Sequence, residues 1–261
     1  MNDKNITDLK INGQGTAPGG TYKLVRINGG GKVGGDIVCD ECIVNGSGEF
    51  AGGVQSKSMR INGSAQIGGD VQAEKLLVQG NTKISADVNA DELTVRGYAN
   101  IEGAVFGERV SILGSADIND KLNAKEIKIA GALKAGGDLS AEKFTSTGQF
   151  QVDGLLSADT IDVQIGWSKS TAKEVGGENI SVRMSLKGLS TVRSILSINT
   201  KMPLFVTSTI EGNDIQLERT KADVVRGHNV TLGAGCDIGL VEYSGSLKTM
   251  GAVSIGQEKK V

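Results

Sequence analysis

Cys39 and Cys42 are the first candidates for chemistry in the sequence, because together they form a C-x-x-C motif. Such a pair can carry out redox chemistry or supply half of a zinc site. No second C-x-x-C and no histidine cluster completes a zinc site in the sequence. A buried free cysteine behaves as a small hydrophobic residue. We therefore predict no metal site here, and we expect both cysteines to fill ordinary core positions.

Residues 29–34, with the sequence Gly-Gly-Gly-Lys-Val-Gly, match the G-x-G-x-x-G pattern of dinucleotide-binding loops. Such a loop must lie between a strand and a helix whose N-terminus faces the phosphates. The residues that follow have the pattern of another strand, so we interpret the glycines as corners and predict no cofactor. The P-loop pattern G-x-x-x-x-G-K-[ST] is also absent from the sequence.

His228 is the only histidine and therefore the one candidate for an imidazole general base. Acyltransferases with a left-handed β-helix use such a base beside a coil. Here the histidine lies within 226–229, Arg-Gly-His-Asn, which we interpret as an exposed turn. Strict hexapeptide spacing is also missing. We therefore predict no catalytic residues and no enzymatic activity.

The C-x-x-C motif and the glycine-rich segment lie on a repeat, and His228 lies beyond it. In this repeat eight glycines recur every 17 residues: Gly29, Gly46, Gly63, Gly80, Gly97, Gly114, Gly131 and Gly148. Apolar residues recur four before, four after and eight after each glycine, and two before it in seven of the eight coils. A small residue follows ten positions after the glycine, and a charged residue follows at eleven. Cys39 occupies the small position and Cys42 the apolar position four before a glycine.

The inward positions come in pairs two residues apart, which is the side-chain period of a β-strand. Each coil is thus predicted to hold three short strands. Corners are expected at the repeated glycine, at a second glycine six residues later, and at charged pairs such as Asp91-Glu92. Glycine suits corners because it reaches positive φ without steric cost. The fold class is all-β: a parallel, triangular β-helix with 17-residue coils, followed by a less regular β module.

The regularity of the columns also predicts the domain organisation. We expect an N-terminal tail over 1–8 and the regular β-helix over 9–167. A loop over 168–178 then leads to a second, irregular β or β-helix module over 179–255, with a C-terminal tail over 256–261. Trp167 closes the regular part, and Leu186 belongs to the alternating pattern of the second module. Leu189, Val192 and Leu196 also fit a short helix.

Charge and hydropathy restrict the possible partners. The 28 Lys and Arg residues nearly balance the 30 Asp and Glu residues, and no basic cluster occurs, so we predict no nucleic-acid binding. No apolar run has the roughly 18 residues of a membrane span, and the polar start does not resemble a signal peptide. We expect a cytoplasmic protein and leave peripheral membrane contact open. Three cysteines do not indicate a disulfide framework.

The coil from Ile61 to Glu74 follows the rung pattern I-x-G-x-x-x-I-x-G-x-V-x-A-E. In this pattern the sequence resembles the bactofilins, a family of polymer-forming bacterial cytoskeletal proteins, over about 22–160. The resemblance implies a right-handed β-helix that assembles end to end into non-polar filaments without nucleotide. It further implies scaffolds for cell shape or for envelope and motility structures, with the protein itself as the first partner.

Physical reasoning independently favours a polymer, because the terminal coils of a β-helix carry unpaired backbone groups. We predict a polymer interface that includes residues near both ends: Leu9, Ile11, Phe205, Val241 and Tyr243. Two alternatives remain open at this point. One is a non-polymerising binding or adaptor module that docks through its irregular C-terminal part, and the other is a β-helix acyltransferase.

Overall fold

The computed structural model describes residues 7–166, 168–185 and 204–261, which belong to two compact units, Met1–Gly136 and Gly137–Val261. Every regular element of the described residues is a β-strand, and all their pairings are parallel. The predicted fold class is confirmed: an all-β solenoid with coils of about 17 residues, followed along the chain by a less regular part. Trp167, Leu186 and the possible helix at 189–196 lie outside the described residues.

The first unit alternates eight-residue and four-residue strands, which repeat with the glycine period. Its first strands are shorter or irregular, and from β3 onward the alternation is regular. The strands are β1 Leu9–Ile11, β2 Gln14–Ala17, β3 Gly20–Ile27, β4 Gly30–Val33, β5 Ile37–Val44, β6 Ser47–Phe50, β7 Val54–Ile61, β8 Ser64–Ile67, β9 Val71–Val78, β10 Asn81–Ile84, β11 Val88–Val95, β12 Tyr98–Ile101, β13 Val105–Ile112, β14 Ser115–Ile118, β15 Leu122–Ile129 and β16 Ala132–Ala135.

Each regular coil therefore holds two strands, where the sequence predicted three. The charged pair does not end a strand, because it forms a bend inside the eight-residue one. In β11, Ala90 pairs with Ala73 and Glu92 pairs with Lys75, while Asp91 between them is left out of the pairing. Two successive exposed residues mark this bend in β5, β9 and β15. The predicted inward pairs are correct on both sides of it.

Equivalent residues of successive coils stack directly on each other. Val88 pairs with Val71 on one side and with Val105 on the other, and all three are fully buried. β-Branched side chains pack well in such columns, because the pleated surface suits their fixed χ1 angles. Burial of each Val or Ile contributes about 1.5–3 kcal/mol, so the stacked columns form the core that holds the coils together.

The repeated glycines are required for a reason that differs from the predicted one. None of the column glycines from Gly29 to Gly131 has positive φ, which occurs instead at Gly13, Gly20, Gly235 and Gly251. A Cβ at Gly63 would collide with the carbonyl oxygen of Gly46, and the same collision recurs from coil to coil. Close contact between successive backbones therefore selects glycine here.

Most strands of the second unit are longer, and their pairing is less regular. Its strands are β17 Leu139–Ser146, β18 Gln149–Ile165, β19 Ser170–Met184, β20 Phe205–Leu217, β21 Thr220–Leu232, β22 Asp237–Thr249 and β23 Ser254–Lys260. The register shifts between Val152 and Leu155 where β18 pairs with β19, and between Gly227 and Asn229 where β21 pairs with β22. These shifts explain why the sequence columns lose their period in this part of the chain.

Two predicted irregular segments are strands in the structure. Most of the predicted loop over 168–178 lies in β19, because its polar residues alternate with buried ones such as Ala172 and Val175. The predicted tail over 256–261 lies almost entirely in β23, which pairs with β22 through residues such as Lys259. Backbone pairing to a preceding coil orders both segments even though their side chains are mostly polar.

Candidate assembly edges

The first strand of the first unit is paired along one edge only. Leu9 and Ile11 of β1 pair with Val25 and Ile27 of β3, and no other strand of the described residues pairs with β1. The carbonyl oxygen of Ile11 accepts a hydrogen bond from the N–H of Asn28 at 2.9 Å. Successive residues of a strand direct their backbone groups to opposite sides. The N–H and C=O of Lys10 therefore face the unpaired edge.

A ladder of asparagine side chains begins at the same edge. The Asn28 amide N–H donates to Asn12 Oδ1 at 2.7 Å, Asn45 donates to Asn28 at 2.8 Å, and Asn62 donates to Asn45 at 2.7 Å. Each of these asparagines donates toward the coil before it. Asn12 is the first member of this ladder. A coil placed before it could therefore accept a hydrogen bond from the side-chain amide N–H of Asn12.

The last strand of the second unit is the corresponding edge at the other end of the sequence. Within the described residues, β23 pairs only with β22, through contacts such as Ile238 with Ile255. Ile255 is only half-buried, whereas Ile238 one coil earlier is fully buried. The Val261 N–H donates to the carbonyl oxygen of Tyr243 at 2.9 Å. By alternation the backbone groups of Lys260 face the unpaired edge.

The predicted interface residues occupy different environments. Leu9 and Ile11 lie together in β1, where Leu9 is half-buried and Ile11 is buried. Val241 and Tyr243 lie together in β22, one coil inside the edge, and Val241 is fully buried. The Tyr243 hydroxyl donates to Glu258 of β23 at 2.7 Å, and this bond raises the pKa of the tyrosine.

Phe205 lies farther from the edge, at the start of β20 and fully buried. Its ring centroid lies 5.8 Å from that of Phe150, which in turn contacts Phe144 at 5.2 Å in an edge-to-face arrangement. Such aromatic pairs stabilise a core by about 0.5–1.5 kcal/mol beyond their buried area. In this chain Phe205 is a core residue of the second unit.

The two cysteines of the C-x-x-C motif fill the predicted core positions. Cys39 and Cys42 both belong to β5 and both are buried as free thiols. Interaction with the Cys42 thiol lowers the pKa of Cys39, whereas interaction with Cys39 and burial raise the pKa of Cys42. Among the described residues, no three His, Cys, Asp or Glu side chains come together as a metal site would require.

The glycine-rich segment from Gly29 to Gly34 contains β4 and is followed by β5, so the prediction that a strand follows it is confirmed. A Cβ at Gly31 would contact the side chains of Ile27 and Ile11. The segment therefore packs as a wall of the coil and does not form a loop around a phosphate.

His228 lies within β21, where the sequence predicted a turn. The pairing of β21 with β20 passes from Gly227 directly to Asn229, so the histidine occupies a bend inside the strand. Its side chain is exposed, as predicted, and Nδ1 lies 2.9 Å from the hydroxyl oxygen of Ser244. Polar side chains at the bends of successive coils contact each other, which explains why a histidine is found at the bend of β21.

A recurrent aspartate at the corners was missed by the sequence reasoning. Asp36, Asp70 and Asp87 each accept a hydrogen bond from the backbone N–H of the residue 17 positions later, at 2.8, 3.1 and 2.8 Å. Asp138 repeats the contact with the N–H of Leu155 at 2.8 Å in the second unit. The signal was available in the sequence, because these aspartates all lie seven residues after a column glycine.

A shallow groove of about 750 Å³ follows the bends of β3 to β13 on the outside of the first unit. Its floor is the column of small residues, and its sides are the residues that flank this column, most of which are polar or charged. Asp40 and Lys57 form an ion pair of 2.7 Å at its side. The groove is lined by Thr21, Tyr22, Val38, Cys39, Asp40, Gln55, Ser56, Lys57, Gln72, Ala73, Glu74, Asn89, Ala90, Asp91, Phe106, Gly107 and Glu108.

A family model described as "Bactofilin: Polymer-forming cytoskeletal" matches residues 4–89 and 58–140, which together make up just over half of the chain. These matches cover the regular coils of the first unit. No solved structure gives a significant match to the chain. Among the described residues, no helix is long and apolar enough to span a membrane.

Two proteins of Bacillus subtilis (strain 168) are similar to part of the chain. The uncharacterized protein YhbE is 33% identical over 103 residues, which are 40% of this chain and 41% of that protein. The uncharacterized protein YhbF is 34% identical over 84 residues, which are 31% of this chain and 32% of that protein. The chain thus spans less than half the length of the curated relatives it matches.

Proposed function

Because the chain belongs to the bactofilin family of polymer-forming cytoskeletal proteins, we propose that it polymerises through the open edges of β1 and β23, each of which pairs with a strand edge of a neighbouring copy. The observation that carries this proposal is the one-sided pairing of these two strands. Unpaired N–H and C=O groups along a strand edge are a template for a further strand. Pairing with a second copy satisfies them without nucleotide or cofactor.

The proposed interface consists of backbone groups and the side chains stacked beside them. On β1 these are Leu9 to Ile11 with Asn12, and on β23 they are the residues around Ile255. Tyr243 and Val241 support the second edge from one coil inside. Phe205 is buried among other phenylalanines, so it supports this edge only indirectly, through the core of its unit.

We further propose that the polymer is a non-enzymatic cytoplasmic scaffold, which positions other proteins at sites of cell shaping or at envelope or motility structures. The family is a structural one of polymer-forming cytoskeletal proteins. The long repetitive outer surface of the first unit supports this role, because identical spacing along the coils presents the same groups many times over.

Electron microscopy and sedimentation of the purified chain, without nucleotide, test the proposed self-assembly. We expect polymers that form as the protein concentration rises. Monodisperse monomers over a wide range of salt and protein concentration would contradict the proposal and would favour a non-polymerising binding module.

Proline substitutions at the two edges test the proposed contact itself. Lys10→Pro and Lys260→Pro each remove one backbone N–H that faces an open edge and place a pyrrolidine ring there, which a neighbouring strand cannot accept. We expect each variant to shorten or abolish the polymers in sedimentation assays while the circular dichroism of the chain stays the same.

Lys10→Ala and Lys260→Ala are the matched controls, because they remove the same side chains and keep the N–H. They also remove the 2.8 Å ion pair of Lys10 with Asp8 and the contact of Lys260 with the Tyr243 ring. Both alanine variants are expected to polymerise like the parent chain. If a proline variant polymerises as well as its alanine control, that edge is not a contact between copies.

A further inference from the structure

Four Asn-Gly pairs occupy the glycine corner of four successive coils: Asn12-Gly13, Asn28-Gly29, Asn45-Gly46 and Asn62-Gly63. In such a pair the backbone nitrogen of the glycine can attack the side-chain amide of the asparagine, because glycine has no Cβ that would shield it. Asparagine is accordingly one of the chemically labile residues of proteins. The four pairs have the same chemistry, so any difference in their reactivity must come from their surroundings.

The glycine of the first pair has open space around it, unlike the other three. A Cβ at Gly13 would meet no atom within 4 Å. At Gly29, Gly46 and Gly63 a Cβ would collide with the carbonyl oxygen of the glycine one coil earlier. Asn12 and Gly13 are both exposed, whereas the glycines of the other three pairs are half-buried. Of the four pairs, the first therefore has room for a ring to form beside its backbone.

The backbone nitrogen of the glycine is also held differently in the first pair. The N–H of Gly63 donates to the carbonyl oxygen of Val44, one coil earlier, at 3.2 Å. The N–H of Gly46 makes the equivalent contact with Ile27 at 3.4 Å. Within the described residues no coil precedes Gly13, since β1 pairs with β3 alone. Its nitrogen therefore has no such contact to lose before it reacts.

The ladder of side-chain amides restrains the four asparagines unequally. Asn28 and Asn45 each donate to the asparagine before them and accept from the one after them. Asn12 accepts from Asn28 at 2.7 Å, and its own amide N–H lies at the open end of the ladder. To react, an asparagine side chain must turn toward the nitrogen of its own glycine. This turn breaks two ladder bonds at Asn28 or Asn45 but one at Asn12.

We propose that Asn12-Gly13 is a site of spontaneous deamidation and that the product blocks assembly at the edge of β1. The Gly13 nitrogen loses its proton and attacks the side-chain carbonyl carbon of Asn12. The bond from this carbon to the amide nitrogen breaks, and ammonia leaves with the proton. Water then adds to one of the two carbonyls of the resulting ring and reopens it, which gives aspartate or isoaspartate. The net change consumes one water and releases one ammonia, and nothing is oxidised or reduced.

The effect on assembly rests on the proposed function. Unmodified Asn12 can donate its amide N–H to a strand of a neighbouring copy at the β1 edge. A carboxylate accepts hydrogen bonds but has no N–H to donate, and it adds a negative charge. Isoaspartate also lengthens the backbone by one carbon directly after Ile11, which disturbs the pairing register of the edge. Either product thus removes the donor that would continue the ladder into the next copy.

Peptide mass spectrometry of the folded, full-length chain tests the site after incubation in mildly alkaline buffer, at a protein concentration below that at which polymers form. Loss of one neutral hydrogen bond speeds such a step about two- to tenfold, and Asn12 also has open space, so we expect it to react about tenfold faster or more than Asn28 and Asn45. In the denatured chain the four pairs should react at similar rates. Equal rates at the four pairs of the folded chain would overturn the proposal.

Asn28→Ala tests the protection that the ladder gives, and the fold accepts alanine in this column at Ala130. The substitution removes the acceptor of the Asn45 amide N–H. Asn45 should therefore react about two- to tenfold faster than in the parent chain. Gln79→Ala is the control in the same column, one coil beyond the ladder, and should leave the rate at Asn45 unchanged. An unchanged rate at Asn45 in Asn28→Ala would show that the ladder gives no protection.

Asn12→Asp carries the charge of the product and tests the effect on assembly by sedimentation. Asn62→Asp makes the same change at an Asn-Gly pair away from the edge and is the matched control. We expect Asn12→Asp to lose most of its polymers and Asn62→Asp to assemble like the parent chain. Equal assembly of the two variants would overturn the effect on assembly. If the parent chain itself stays monomeric, that effect fails together with the proposed function, while the mass spectrometry still decides whether Asn12 is the reactive site.

Discussion

Each column glycine of the first unit lies against the carbonyl oxygen of the glycine one coil earlier. The backbone N–H of Gly80 also approaches the carbonyl oxygen of Ile61 at 3.2 Å, so two successive turns are held together at this corner. No side chain fits between backbones at this separation. The constraint therefore belongs to the contact between coils, and a single coil would not impose it.

Gly80→Ala is expected to destabilise the first unit by about 3 kcal/mol or more, since the new Cβ meets backbone atoms that cannot move aside. The loss should be visible as a lower denaturant midpoint. Gly166→Ala is the control, because a Cβ at Gly166 meets no atom within 4 Å. Equal midpoints for the two variants would show that the backbones separate easily.

The corner aspartates are a second case in which single residues hold successive coils together. The carboxylate of Asp87 accepts the N–H of Ala104 at 2.8 Å, in a half-buried position where solvent competes weakly. Hydrogen bonds to a charged group typically contribute about 1.5–3 kcal/mol. A corner N–H without this acceptor would lose its partner between the coils.

Asp87→Ala is therefore expected to lower the free energy of unfolding by about 1–2 kcal/mol. Asp87→Asn should cost less, because its amide oxygen can still accept the bond. Asp91→Ala serves as the control at an exposed position of the charged column. Chemical denaturation of the three variants measures these differences, and an Asp91 variant as unstable as Asp87→Ala would contradict the capping role.

At the scale of the elements, the eight-residue strands carry the core. Their inward residues stack in columns that continue through neighbouring coils, so each strand stabilises the next one. Val71 of β9 pairs with Val54 and Val88 and is fully buried. The adjacent residue Gln72 points outward and is exposed.

Val71→Asp is expected to abolish folding of the first unit, because an unpaired buried charge costs about 3–5 kcal/mol or more. Gln72→Asp introduces the same charge on the same strand at an exposed position, and we expect a soluble, folded chain. Circular dichroism and limited proteolysis distinguish the two outcomes. A folded Val71→Asp variant would show that the columns tolerate a charge.

At the scale of the whole molecule, the chain has a formal net charge of −2, and its ion pairs are mainly exposed. Lys32 pairs with Glu49 at 2.6 Å and Lys83 with Glu102 at 2.8 Å, across successive coils. Exposed pairs of this kind contribute only about 0–1 kcal/mol each. The proposed assembly through strand edges would rely instead on backbone hydrogen bonds and apolar stacking.

Polymers of the chain are therefore expected to persist when salt is raised from low ionic strength to about 1 M, where the Debye length falls to about 3 Å. Sedimentation across a salt series measures this. Polymers that dissolve as salt rises would show that ionic contacts between copies, and not strand pairing, hold them together.

The inward positions of each coil could be predicted from the residue types that recur every 17 positions. Residues such as Ile61, Val71 and Ile84 recur at inward positions, because stacking makes every coil meet the same constraints. The β19 strand could not be read in this way, since its coil departs from the 17-residue period and its backbone pairing tolerates polar side chains. His228 was placed in a turn because a bend within a strand has the same exposed, polar composition as a loop.

The candidate assembly edges could be predicted only in part. Leu9 and Ile11 lie at an edge, as chain position suggested, but Phe205 and Val241 are buried, and apolar composition near the C-terminus does not distinguish a core from an interface. Strand pairing decides that distinction, and it depends on which residues have a neighbour on both sides.

The sequence by itself determined the period, the inward columns and the family resemblance, because these follow from repeated local chemistry. Only the tertiary structure decided why glycine is required at the corner, which aspartates cap the coils and that a bend in β5 turns both Cys39 and Cys42 inward. These features depend on distances between backbones or across a bend, and such distances exist only once the coils have stacked.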